Sequence, residues 1–250
     1  MRHIVARLGA PALSGLRRIT KGSRPSKEFR LFYENAEGST ISPWHDIPLQ
    51  NEDGSLNMVV EIPKFTRAKM EIATDEEFNP IKQDLKKGNL REYGWGDMFV
   101  NYGALPQTWE DPQVKDEHTG AGGDDDPVDI IEVGTVAHPF GSVIKVKPLG
   151  VLGMIDEGEM DWKVVGISTA DPMTDVVHTL DDLEVVQPSV LHAFREWMRV
   201  YKTVDGKPEN EFAFNGEWQG ADFARDVIGD THASWKGSDA RKASPVVGER

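Results

Sequence analysis

From residue 57 to 167 the apolar runs of this chain are short, rich in β-branched residues and punctuated by glycine or proline. That pattern excludes a helical body there and points to a strongly bent sheet or small barrel of five or more strands. Residues 57–62 stop at Pro63, and Pro-Lys-Phe-Thr reads as a turn into 68–72. In that second run Lys69 and Glu71 share one face, and Met70 and Ile72 the other. Further strands are predicted over 128–136, with Asp129 at the start, over 142–146 and 148–155, divided by Pro148, and over 162–167. Beyond Pro188, expected as a first helical residue, the period changes. Leu191, Phe194, Trp197, Met198 and Tyr201 recur at spacings of three and four, a helical stripe, and a second helix is predicted over 222–235. Strands first and helices later give an α+β chain, mainly β.

The 250 residues allow one large domain or two small ones, and no repeat or Gly/Ser linker divides 28–236. The absence of cysteine excludes disulfides, thiolate metal sites and cysteine nucleophiles. No run of about 18 apolar residues occurs, so no helix is expected to span a membrane. The net charge is −14, and it is unevenly spread. Residues 1–27 hold seven basic side chains and no acid, leaving 21 bases against 42 acids in the rest. An acid-free, Arg-, Ser- and Ala-rich start reads as an organellar presequence, mitochondrial or plastid, or else as a basic tail on a cytoplasmic protein. Residues 237–250 are small, polar and unpatterned, and are expected to be disordered.

The densest chemistry lies in Gly122-Gly-Asp-Asp-Asp-Pro-Val-Asp. Asp124, Asp126 and Asp129 are packed too closely to ionise together unless solvated or bridged by cations, and Gly-Gly and Pro127 argue for a fixed loop feeding a strand. A second cluster, Asp156-Glu-Gly-Glu-Met-Asp-Trp-Lys, places Asp156 at the end of one strand and Asp161 at the start of the next. A hairpin brings those two to one rim, with Lys163 on the face of Asp161. Neither cluster fits the EF-hand pattern. Carboxylates with no His or Cys suit hard cations such as Mg²⁺, Mn²⁺ or another divalent ion. Bases recur beside the acids: Lys69 by Glu71, Arg91 after Lys86-Lys-Gly-Asn-Leu, Lys163 by Asp161, and Lys202 after Tyr201. Acids that hold metal and bases that clamp phosphate oxygens are together what a metal–polyphosphate complex requires.

Six strings then carry a family resemblance: VVEIPKFTRAKMEI (59–72), KKGNLR (86–91), NYGALPQTWEDP (101–112), GDDDPVDIIE (123–132), DEGEMDWKV (156–164) and YKTVDGKPENEFAFNGE (201–217). Over about 28–236 the chain resembles a soluble family I inorganic pyrophosphatase of the eukaryotic type, and the run Asp124 to Asp129 matches that family's signature. The resemblance implies an OB-like five-stranded β-barrel with flanking C-terminal helices and extra hairpins. It implies Mg²⁺-dependent hydrolysis of pyrophosphate to two phosphates. Carried over by motif, Asp124, Asp129 and Asp161 would hold the metal pair that generates the nucleophile, with Asp129 bridging. Glu71, Asp156 and Asp161 would hold the metals that arrive with substrate. Asp126 would be the general base, and Lys69, Arg91, Tyr102, Lys163, Tyr201 and Lys202 would bind the phosphoryl groups. Glu61 would reach the same cavity through water.

The chain departs from the pattern between Arg91 and Asn101, which is shorter than in fungal and animal members. Their tyrosine three residues before Asn-Tyr-Gly is Met98 here, and Tyr93 lies nearby but out of register. Two other classes fit less well. A non-catalytic cation binder has no need of Lys163, Arg91 and Tyr201, and an oligonucleotide-binding OB fold needs a basic groove with stacking aromatics. No nucleic-acid partner is expected, and no P-loop or Rossmann fingerprint occurs. The family suggests a homodimer, with a monomer as the alternative. Trp44 and Trp218 are candidates for an interface as much as for packing.

Overall fold

The computed structural model describes residues 15–238. Along the chain the strands are β1 (Arg17–Lys21), β2 (Arg30–Glu34), β3 (Thr40–Ile41), β4 (Leu56–Ile62), β5 (Met70–Ile72), β6 (Ile81–Gln83), β7 (Leu85–Lys86), β8 (Asn89–Leu90), β9 (Asn101–Ala104), β10 (Asp129–Glu132), β11 (Val143–Asp156), β12 (Glu159–Ser168), β13 (Glu211–Phe212) and β14 (Gln219–Gly220). Three α-helices follow or interleave with the last of these: α1 (Leu180–Val186), α2 (Val190–Val200) and α3 (Ala221–Gly237).

Five strands close on themselves. The order β12-β10-β9-β4-β11 returns to β12 through the long β11–β12 hairpin, so the sheet is a barrel of the OB-like kind. All its pairings are antiparallel except β10 with β12. Alternation along the strands divides the apolar residues into two cores. Met58, Val60, Ile130, Val151 and Val164 pack with Ala224, Val227 and Ile228 of α3. Val59, Ile62, Ile131, Leu149 and Val165 pack with Leu191, Phe194, Trp197 and Met198 of α2. A second sheet, β1-β2-β6-β5 with β3 on β2, carries Glu71 in β5, with Lys69 just before that strand.

Several sequence expectations are corrected. The strand divided at Pro148 is continuous, because the register slips between Pro148 and Gly150 and a bulge needs no N–H from proline. The strand expected over 128–136 ends at Glu132. Pro188 lies outside α2, whose N-cap is Ser189. Helix α1 was not expected: it buries only Leu183 and so draws no apolar stripe, and its start is set by a Thr179–Asp182 capping box. Part of the basic segment 1–27 is seen in the sheet. β1 pairs with β2 along its whole length, and Arg17 bonds Glu34 at 2.9 Å. The rest of the basic segment, 1–14, and the tail 239–250 lie outside the described residues. Trp44 is a core residue whose indole donates to Thr108 O, and Trp218 packs on Phe194; the exposed large aromatics are Phe65 and Trp95. No described helix is long and apolar enough to cross a membrane.

Candidate active site

The acidic loop is held by the main chain. Glu110 N–H donates to Asp126 O and Asp125 N–H to Glu110 O, both at 3.0 Å, and Gly123 N–H donates to Asp111 O at 3.2 Å. A Cβ on Gly123 would overlap the Glu110 backbone, so this close pass requires glycine. Asp125 turns the chain with φ +72° and spends its carboxylate on the Trp109 indole at 2.9 Å. Asp124 and Asp126, on either side of it, face a common cavity.

Strand register supplies the next groups. Asp129 opens β10 directly opposite Lys163 of β12, and the Lys163 ammonium contacts both Asp129 and Asp161. The Tyr102 hydroxyl, from β9, donates to Asp129. A bulge between Val60 and Ile62 shifts the phase of β4, so Ile62 joins the Val59 face while Glu61 meets β5 and accepts Ile72 N–H at 2.7 Å. The β11–β12 hairpin turns at Glu157 and Gly158, both at positive φ, which sets Asp156 at its rim. There Asp156 accepts from Lys202, which follows Tyr201 at the C-terminal end of α2. The opposite wall is β5 and the segment after β8. Lys69 bonds Glu71 at 2.5 Å and lies 3.5 Å from Asp84, while Arg91 bonds Asp84 at 2.7 Å.

All twelve site residues expected from sequence, and Glu61, line one cavity of about 230 Å³. Its wall carries eight carboxylates (Glu61, Glu71, Asp124, Asp126, Asp129, Asp156, Glu159, Asp161) against four bases (Lys69, Arg91, Lys163, Lys202). The imbalance shows in protonation. Burial, then Asp129 and Glu71, push the Asp126 carboxyl up to about 7. Burial and Asp161 raise Asp124, and burial raises Asp161 and Glu61. Burial works against the Lys163 ammonium, but Asp129 and Asp161 outweigh it and hold its pKa above the ordinary lysine value. Glu71 does the same for Lys69. An interior this acidic is relieved by added cations or by protons.

The donor set fits a divalent ion. Oxygens of Glu110, Asp124 and Asp161 lie within 4.8 Å of one another. Glu110 is 3% exposed; one carboxylate oxygen accepts Trp162 N–H at 2.8 Å, and the other is buried with no hydrogen-bond partner. Oxygen donors with no nitrogen or sulfur suit Mg²⁺ or Mn²⁺. Sequence reasoning missed Glu110, whose one signal is its place in Gln-Thr-Trp-Glu-Asp-Pro. Tyr93, noted from sequence as near the missing tyrosine but out of register, lines the cavity, whereas Met98 is fully buried in the core.

Comparison with known proteins gives a consistent picture. The family model described as inorganic pyrophosphatase matches residues 58–236. The human inorganic pyrophosphatase is 47% identical over 236 residues, covering 93% of this chain and 82% of that protein. A soluble inorganic pyrophosphatase of Arabidopsis thaliana, named chloroplastic, is 49% identical over 216 residues, 86% of this chain and 72% of that protein. Among solved structures, an N-terminally truncated Trypanosoma cruzi vacuolar soluble pyrophosphatase in complex with PPi superposes with a TM-score of 0.85 at 46% identity, covering 88% of this chain and 90% of that one.

Proposed function

This chain belongs to the inorganic pyrophosphatase family, and from that premise we propose that its acidic cavity hydrolyses inorganic pyrophosphate to two orthophosphates with Mg²⁺ and with Asp126 as general base. The observation that carries the proposal is the cavity wall of eight carboxylates and four bases, which suits a polyanion accompanied by cations. The relative crystallised with PPi supports the same substrate.

Each residue has a task in this account. Asp124, Asp129 and Asp161 would hold divalent ions on one side of the cavity, and Glu71, Asp156 and Asp161 would hold those that enter with substrate. When bound, these ions supply the positive charge that lets water lose a proton near neutral pH and that polarises the phosphoryl oxygens. Asp126 accepts the water's proton; burial and neighbouring acids keep its pKa near the working pH, where a general base is most effective. Lys163 is pinned between Asp129 and Asp161, so its ammonium is fixed before substrate arrives. Lys69, Arg91, Lys202 and the hydroxyls of Tyr102 and Tyr201 take the phosphoryl oxygens, so charge growing on the departing phosphate meets donors already in place. No phosphoenzyme is needed, since water attacks phosphorus in line.

Removing pyrophosphate would draw forward the biosynthetic reactions that release it. A mitochondrial or plastid address belongs to the same proposal, supported by the acid-free start and the chloroplastic relative; any cleavage then falls before Arg17. A homodimer is also part of it, and sedimentation of the purified chain distinguishes dimer from monomer mass. Phosphate release from pyrophosphate by the full chain tests the activity. Rapid release in millimolar Mg²⁺ that EDTA abolishes is expected, and a folded chain that releases none refutes the proposal.

A further inference from the structure

Tyr93 has a hydroxyl with no hydrogen-bond partner among the described residues. Its ring is fixed edge-on against Trp197 (centroids 4.8 Å, 83°) and Tyr201 (5.6 Å, 80°), and its N–H is tied to Arg67 O at 2.9 Å. The residue is 4% exposed and stands in the cavity wall. Among the described residues its hydroxyl makes no hydrogen bond, yet it is not sealed in the core. Lys69, Arg91 and Tyr201 line the same cavity as the Tyr93 ring. A neutral O–H beside Lys69, Arg91 and Tyr201 is a donor awaiting an oxyanion: the cations attract one, and no carbonyl or carboxylate of the described residues uses the proton.

We propose that Tyr93 is a phosphate-binding residue whose hydroxyl donates to the phosphoryl group held between Lys69, Arg91 and Tyr201. The inference rests on the pyrophosphatase reading and adds a contact that none of the sequence motifs assigns. The stacked Trp197–Tyr201 pair (5.0 Å) and the edge contacts to Tyr93 make one rigid aromatic unit. Two hydroxyls are thus presented to one phosphate at little cost in side-chain freedom.

Tyr93→Phe in the full chain tests this, because it removes the hydroxyl and keeps the ring. With no protein partner lost, the unfolding temperature should match wild type. Binding of the non-hydrolysable methylenediphosphonate in Mg²⁺, measured by calorimetry, should weaken about tenfold, as for the loss of one hydrogen bond to a charged acceptor. Affinity for Mg²⁺ alone should not change. Diphosphonate binding equal to wild type overturns the inference, as does an equal loss of Mg²⁺ affinity without diphosphonate, which would mark a disturbed carboxylate cluster. A wild-type chain that neither binds diphosphonate nor hydrolyses pyrophosphate defeats the parent reading, whereas an active wild type with a silent Tyr93→Phe defeats this inference alone.

Discussion

At the scale of single residues, the site is a set of carboxylates kept close by backbone bonds and restrained by too few bases. Glu110 states the problem most sharply, with one oxygen bonded to Trp162 N–H and the other buried and unpartnered beside Asp124 and Asp161. Burial, then those two aspartates, raise its pKa. If the cluster holds a divalent ion, Glu110→Gln keeps the Trp162 bond but removes charge from the shell around it. Its Mg²⁺ affinity should fall about 10–100-fold by calorimetry; an unchanged affinity would remove Glu110 from the metal account. The aspartates were legible in the sequence because they are local: Asp124 to Asp129 and Asp156 to Asp161 announce themselves as charge clusters. Glu110 was not, and Tyr93 was visible only as a nearby tyrosine out of register. Each is a lone residue delivered by a distant contact, Glu110 by its bonds to the 125–126 backbone and Tyr93 by packing on α2.

At the scale of elements, position is set by register and by breaks in register. The pairing of Asp129 with Lys163 follows from β10 lying parallel to β12, a neighbour relation that no local pattern encodes. The bulge in β4 and the bulge at Pro148 were illegible for the same reason, since both are defined by the partner strand. The β11–β12 hairpin and the stripe of α2 were legible, because a Glu-Gly turn and a 3–4 spacing are local. Helix α2 ties stability to the site: Phe194 is fully buried beneath it, and Tyr201 and Lys202 follow its last turn. Phe194→Ala should cost about 3–5 kcal/mol in urea unfolding, as large aromatic deletions do. A cost under about 1 kcal/mol would mean that α2 is held by something other than this core.

At the scale of the whole molecule, an acidic body with an acidic cavity should be strained without cations. A carboxyl whose pKa rises on folding binds its proton more tightly in the folded state. Stability from that proton is full below the ordinary aspartate value and is lost as pH rises to the folded value. For Asp126 the window runs from 3.8 to about 7. In EDTA the unfolding temperature should therefore fall between pH 5.5 and 7.5. Mg²⁺ should reverse the fall, adding about 2.7 kcal/mol at a hundred times its Kd. A chain equally stable at both pH values in EDTA, and indifferent to Mg²⁺, would show that the cavity acids are not strained. The most direct measurement is phosphate release from pyrophosphate in saturating Mg²⁺, from pH 5.5 to 9, with wild type and Asp126→Asn side by side. The account predicts a wild-type rate that rises with pH through a midpoint no higher than about 7, since bound cations favour the ionised carboxylate. It predicts for Asp126→Asn a rate lower by about 10²–10⁴-fold, with that limb gone. A variant that matches wild type in rate and pH profile would contradict it, because the proton would then leave by a route that does not include Asp126.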